Sequence, residues 1–195
     1  MTYVVSEKIQ IGTTALLKPF KFHDAIKENL MHLINNAYND TVSLKSEYYG
    51  DKIHRLDWSK NLDYESRDWI KFIKPKLEEH FKECSNELNY QNCKVKGMWF
   101  QQYVKNNKHG WHIHGENYTG VYYLEMPKEA PKTELIDQYN INKKITIDAK
   151  EGDIVIFPSF IIHRAPKVQS DTRKTIVSFN LEFNLIDKNI FKVIE

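Results

Sequence analysis

A change of hydrophobic period near Lys94 constrains this chain more than any other feature. Before it, apolar residues recur at three- and four-residue steps, as on one face of a helix. Ile26, Leu30, Leu33, Ile34 and Ala37 give such a stripe over residues 22–38. Trp69, Ile70, Ile73, Leu77 and Phe81 give a second, which follows Asp63, ends near Leu88 and carries Pro75 as a source of a kink. After Lys94 the period is two. Trp99, Gln101 and Tyr103 fall on one face, and Met98, Phe100 and Gln102 on the other. Further short strands are predicted at 119–124, closed by Pro127, and around Ile145 and Ile147. Another follows the Glu151-Gly152-Asp153 turn and stops at Pro158. A long strand is predicted at 173–184, with Val177 and Phe179 opposite Ile176 and Ser178. Residues 3–17 read as extended up to Pro19. Residues 41–62 and 128–143 read as irregular, either plain surface connections or loops that line a substrate site. Helices followed by a run of short strands predict an α+β fold whose second half closes into a sandwich or barrel.

At 195 residues the chain is expected to form one domain, 1–195, with a helical part over about 1–92 and a strand-rich core over about 93–184. A formal net charge of +2 supplies no electrostatic case for a nucleic-acid or membrane partner. The two cysteines, Cys84 and Cys93, have neither zinc-motif spacing nor the number for a disulfide framework, so a reducing, cytoplasmic setting is expected. Glu7, Lys8 and Gln10 interrupt any signal-like apolar core, and no run approaches the roughly 20 residues of a membrane span.

Chemistry concentrates in Trp111-His112-Ile113-His114-Gly115-Glu116. On an extended strand His112, His114 and Glu116 share a face. With His163, about fifty residues on, they supply enough ligands for a mononuclear metal site. By spacing alone, His112 and His114 are also compatible with a hydrogen-bonded pair in a polar crevice. Arg173 and Thr175 pair a guanidinium fork with a hydroxyl, which suits a carboxylate; an ordinary surface ion pair is the plainer reading. His23, His32, His54 and His80 have no clustered partner and read as surface or satisfied histidines, as does His109 in its turn. Tyr122 and Tyr123 must point to opposite faces, with Tyr122 the more solvent-facing of the two.

Residues 97–184 resemble the core of the 2-oxoglutarate- and Fe(II)-dependent oxygenases, in the prolyl-hydroxylase-like branch. The matching pieces come in order: Gln101-x-Tyr103, His112-x-His114, Thr119-Gly120-Val121-Tyr122-Tyr123-Leu124, Gly152-Asp153-x-x-x-Phe157-Pro158, His163, and Arg173-Lys174-Thr175-x-x-Ser178-Phe179-Asn180. The resemblance implies a double-stranded β-helix (jelly roll) with the N-terminal helices packed on its outer sheet. It implies a dioxygenase that uses Fe(II), 2-oxoglutarate and O₂ to hydroxylate a substrate the sequence does not disclose, with release of succinate and CO₂. Residue by residue, His112 and His163 match metal ligands. Arg173, with Thr175 beside it, matches the anchor of the cosubstrate's far carboxylate, and Tyr123 and Tyr103 match its supporting tyrosines. No separate acid or base is implied. The family norm at the second ligand is a carboxylate, so two registers stay open: His112, His114 and His163, or the pair His114 and Glu116 with His163. The alternatives are a cupin-type metal enzyme that does not use 2-oxoglutarate and a jelly-roll binding module without catalysis.

Overall fold

A computed structural model describes residues 11–40, 51–190 and 192. The extended reading of residues 3–10, and the part of the 41–62 loop up to residue 50, lie outside the described residues. The elements are β1 (Leu16–Pro19), α1 (His23–Asn35), β2 (Arg55–Leu56), α2 (Asp68–Glu87), β3 (Tyr90–Tyr103), β4 (His109–His112), β5 (Tyr118–Glu125), β6 (Glu134–Ile136), β7 (Lys144–Thr146), β8 (Asp153–Pro158), β9 (His163–Ala165) and β10 (Lys174–Ile186). They build a six-stranded sheet, ordered β1-β8-β5-β10-β3-β2, and a four-stranded sheet, ordered β4-β9-β6-β7. Every pairing is antiparallel. This is the expected jelly roll: two sheets with their polar and apolar interior between them, and both helices on the outer face of the larger one.

The period-two residues sort as expected. Met98, Phe100, Val177 and Phe179 pack with Ile70, Ile73, Leu77 and Phe81 of α2 in the helix-side core. Tyr103 and Ile176, on the opposite face of the same strands, belong to a second core between the sheets. Full burial of a Phe or Leu side chain contributes roughly 1.5–3 kcal/mol each, so the helix layer is a large part of what holds the sheet flat against it. Gly120 permits the closest approach. A Cβ there would lie 2.3 Å from the Val155 carbonyl oxygen and 2.5 Å from the Phe179 ring. A buried network ties the layers. Asp57 is fully buried and accepts hydrogen bonds from the Phe100 backbone N–H (2.9 Å), Arg67 Nη1 (3.0 Å) and Trp69 Nε1 (2.9 Å).

Several expectations are corrected. β1 lies at the end of the stretch read as extended, while β2 arises within the stretch read as irregular; the two form the edges of the large sheet. The excursion at 128–143 contains β6, whose three residues pair with both β7 and β9. Tyr122 is not solvent-facing but completely buried, because the helix layer covers that face; its hydroxyl shares a 2.7 Å hydrogen bond with His23 Nδ1. Among the described residues no helix is long and apolar enough to cross a membrane.

Candidate metal centre

The imidazoles of His112, His114 and His163 each offer a nitrogen, and these nitrogens lie within 4.8 Å of one another. Two neighbouring strands of the small sheet create this meeting, since His112 of β4 is paired directly with His163 of β9. His114 follows the strand, and its backbone N–H is fixed by the Ser159 carbonyl at 3.1 Å. Two rings are also oriented. His112 Nδ1–H donates to the Gly110 carbonyl (2.8 Å), and His163 Nδ1–H donates to the Ile161 carbonyl (2.9 Å). Such bonds fix the tautomer and leave Nε2 free as the ligand atom. Burial holds all three imidazoles below the ordinary histidine range, His114 down to about 3. They are therefore neutral, as metal ligands must be. Three convergent neutral imidazoles are a donor set suited to a divalent first-row metal.

Glu116 does not join them. β4 ends at His112 and the chain bends through 115–117, so strand alternation is lost before Glu116 is reached. The bland reading of His109 is also corrected. A register irregularity between His109 and His112 puts both rings on one side, where they stack at 3.8 Å and 21°. His109 lines the cavity with Trp99, Gln101, Tyr103, Thr133 and Ser178. Gln101 is its hub: Oε1 accepts from the hydroxyls of Tyr103 (3.0 Å) and Ser178 (3.2 Å), and Nε2–H donates to His109 Nδ1 (3.4 Å). The free space between these side chains is about 30 Å³.

Arg173 and Thr175 are not brought to this cavity. They share strand parity with Val177 and Phe179 and so face the helices. Arg173 Nε and Nη2 donate to Glu125 (2.8 and 3.0 Å), and its Nη1 reaches Asn35 of α1. The Thr175 hydroxyl also donates to Glu125 (2.7 Å). The cation on the interior side is the next residue. Lys174 is 1% exposed, its ammonium donates to the Pro131 carbonyl (2.7 Å), and it lies 5.4 Å over the Tyr123 ring. Among the described residues no carboxylate is within ion-pair reach of it, and burial pushes it down to about 7. The Tyr123 hydroxyl donates to Thr133 Oγ1 (2.8 Å), a cavity-lining residue. The sequence carried the signal for Lys174: parity with Ile176 and Ser178 places it inside.

Residues 97–180 match the family described as "Putative 2OG-Fe(II) oxygenase". The match covers a little under half of the chain and falls on the strands that build the cavity. Solved structures of that class share the fold over most of this chain. An oxidoreductase of the 2OG-Fe(II) oxygenase family from Burkholderia pseudomallei has a TM-score of 0.65 at 8% identity, covering 86% of this chain and 85% of that one. A prolyl hydroxylase from Trichoplax adhaerens, in complex with a peptide fragment of hypoxia inducible factor, has a TM-score of 0.62 at 14% identity, covering 93% and 87%. The viral collagen prolyl hydroxylase of Paramecium Bursaria Chlorella virus-1, solved with 2OG, has a TM-score of 0.60 at 13% identity, covering 86% and 94%. No curated protein matches the chain.

Proposed function

We propose that this 2OG-Fe(II) oxygenase binds Fe(II) through His112, His114 and His163 and anchors 2-oxoglutarate on Lys174 rather than Arg173. The convergence of three neutral imidazole nitrogens within 4.8 Å carries the reading. The residues fit both groups. The backbone carbonyls of Gly110 and Ile161 hold two of the rings ready. A buried ammonium with no carboxylate partner is costly unless an anion arrives. When bound, iron and 2-oxoglutarate supply the oxidising chemistry, in which O₂ and 2-oxoglutarate are consumed, succinate and CO₂ are released, and a substrate is hydroxylated.

The chain's own residues bind, orient and exclude water. Lys174 pairs with the far carboxylate, and the Tyr123–Thr133 hydroxyl pair offers it a neighbouring hydrogen bond. Tyr103 supports the cosubstrate from β3, where Gln101 fixes its hydroxyl. Trp99, Val121 and Ile176 are the apolar lining that keeps water from the reacting centre. No side chain is assigned to general acid–base work.

Anaerobic Fe(II) titration of alanine variants tests the ligand set. His112→Ala, His114→Ala and His163→Ala each weaken binding by about tenfold or more, while Glu116→Ala is unchanged. Loss with Glu116→Ala but not His112→Ala would restore the other register. The all-histidine donor set also suits a cupin-type dioxygenase that uses no 2-oxoglutarate. Succinate release strictly dependent on Fe(II) separates the two.

A further inference from the structure

Asp51 lies outside the residues 97–180 that match the family, yet hydrogen bonds connect it to the metal centre. It is 9% exposed and, among the described residues, no lysine or arginine is within ion-pair reach. One carboxylate oxygen, Oδ1, accepts the Gly110 N–H at 2.7 Å. The carbonyl of that same Gly110 receives His112 Nδ1–H at 2.8 Å. The other oxygen, Oδ2, lies 3.6 Å from His109 Nε2, and the His109 ring rests flat on His112. Gln101 donates to His109 Nδ1, which leaves the ring proton on Nε2, facing Asp51. The segment is pinned in place, because Lys52 and Lys108 exchange two backbone hydrogen bonds of 3.0 and 2.8 Å.

We propose that Asp51 is the carboxylate of this metal centre, acting from outside the coordination sphere: it positions His112 through Gly110 and His109 and supplies negative charge that an all-histidine donor set lacks. This rests on reading His112, His114 and His163 as the ligands. Two histidines and a carboxylate leave a divalent ion with one net positive charge, whereas three neutral imidazoles leave both. A buried carboxylate without a cation is unfavourable in the metal-free protein. It becomes favourable once a dication sits two hydrogen bonds away. Of the other buried carboxylates, Asp57 has its own arginine and Asp153 accepts the Lys150 backbone N–H.

The test is Co(II) titration of the intact protein under exclusion of other metals, read by the visible absorption of the bound ion. Asp51→Asn keeps the size and an acceptor oxygen for Gly110 but removes the charge. It binds Co(II) about 10–100-fold more weakly, the usual cost of losing an outer-shell partner, while the metal-free thermal midpoint is unchanged or higher. His109→Phe keeps the stacked ring but breaks its link to Asp51, and it weakens binding by a smaller factor. In a His114→Asp background, where a carboxylate enters the ligand set, Asp51→Asn costs less than about threefold; a merely structural role would cost the same in both backgrounds. Binding by Asp51→Asn within about threefold of the unmodified protein, or equal losses in both backgrounds, overturns the role of Asp51 alone. An unmodified protein that takes up no Co(II) overturns the histidine triad and this role with it.

Discussion

On the helix-covered face of the six-stranded sheet, Phe100, Tyr122, Val177 and Phe179 are completely buried against α1 and α2, beside the Asp57–Arg67 ion pair. On the opposite face the same strands present Trp99, Gln101, Thr119 and Ser178 to a cavity ringed by four histidines. One face is apolar with its buried charge matched. The other collects polar groups, and two of its charges, Asp51 and Lys174, have no counter-charge within reach among the described residues. The difference teaches where stability and chemistry are kept apart. Buried polar groups that break the rules of a stable core are common at functional sites; here the unmatched charges Asp51 and Lys174 lie on the cavity side, while the helix side keeps smaller exceptions, His80 Nε2 and Arg67 Nη2, which have no partner among the described residues.

The comparison breaks if substitutions on the helix face impair metal binding, or if those on the cavity face unfold the protein. The largest effect is expected from Asp57→Ala, which leaves Arg67 buried without its partner. It should cost about 3–5 kcal/mol in denaturant unfolding, with metal affinity unchanged in whatever fraction remains folded. His163→Ala should do the reverse, with metal uptake lost by calorimetry and stability of the metal-free protein changed by only about 1 kcal/mol.

A third prediction uses pH to mark the helix face. His80 is buried against Phe20 and Phe81, its Nε2 has no partner among the described residues, and burial pushes it down to about 4 from the ordinary 6.5. Above pH 6.5 the ring is neutral in both folded and unfolded chains, and its full contribution is present. Between 6.5 and about 4 the unfolded chain takes a proton the folded one refuses, so stability falls by on the order of 3 kcal/mol. His80→Leu should flatten that acid limb in urea unfolding measured from pH 7 to 4. A limb unchanged in the variant would assign the loss to other groups.

Lys174 marks the cavity face by the same logic. Its amine, held near 7 by burial, is mostly neutral at pH 8 in the free protein. A bound carboxylate raises it, so 2-oxoglutarate binding should take up about one proton at pH 8 and weaken as pH rises above 7. Calorimetry in two buffers of different ionisation enthalpy reads this directly. The smallest effect belongs to Arg173→Ala, whose half-exposed pair with Glu125 is worth about 0–1 kcal/mol and whose loss should leave cosubstrate binding intact.

Much of this was legible in the residues. Alternation along β3 and β10 assigned both faces of the sheet correctly, because one face is apolar and the other mixed. His112, His114 and His163 stood out by spacing together with the ordered family pieces. Arg173 was picked out by its place in the family pattern, whereas parity along the strand puts Lys174 with Ile176 and Ser178 on the interior side. His109 was hidden by an irregularity in β4 pairing that no local pattern announces. Asp51 was hidden because its role depends on Lys52 pairing with Lys108, a contact between distant segments. β6 is only three residues long and needs both neighbours to exist as a strand.

The central claim is that the cavity face holds Fe(II) and 2-oxoglutarate with Lys174 as the anchor. Anaerobic addition of 2-oxoglutarate to the Fe(II)-loaded protein, followed by its weak visible charge-transfer band, tests it most directly. The band should appear and saturate in the unmodified protein and in Arg173→Ala, and should be lost or need far more cosubstrate in Lys174→Ala. No band in the iron-loaded unmodified protein, or a band that survives Lys174→Ala and vanishes with Arg173→Ala, would contradict the account.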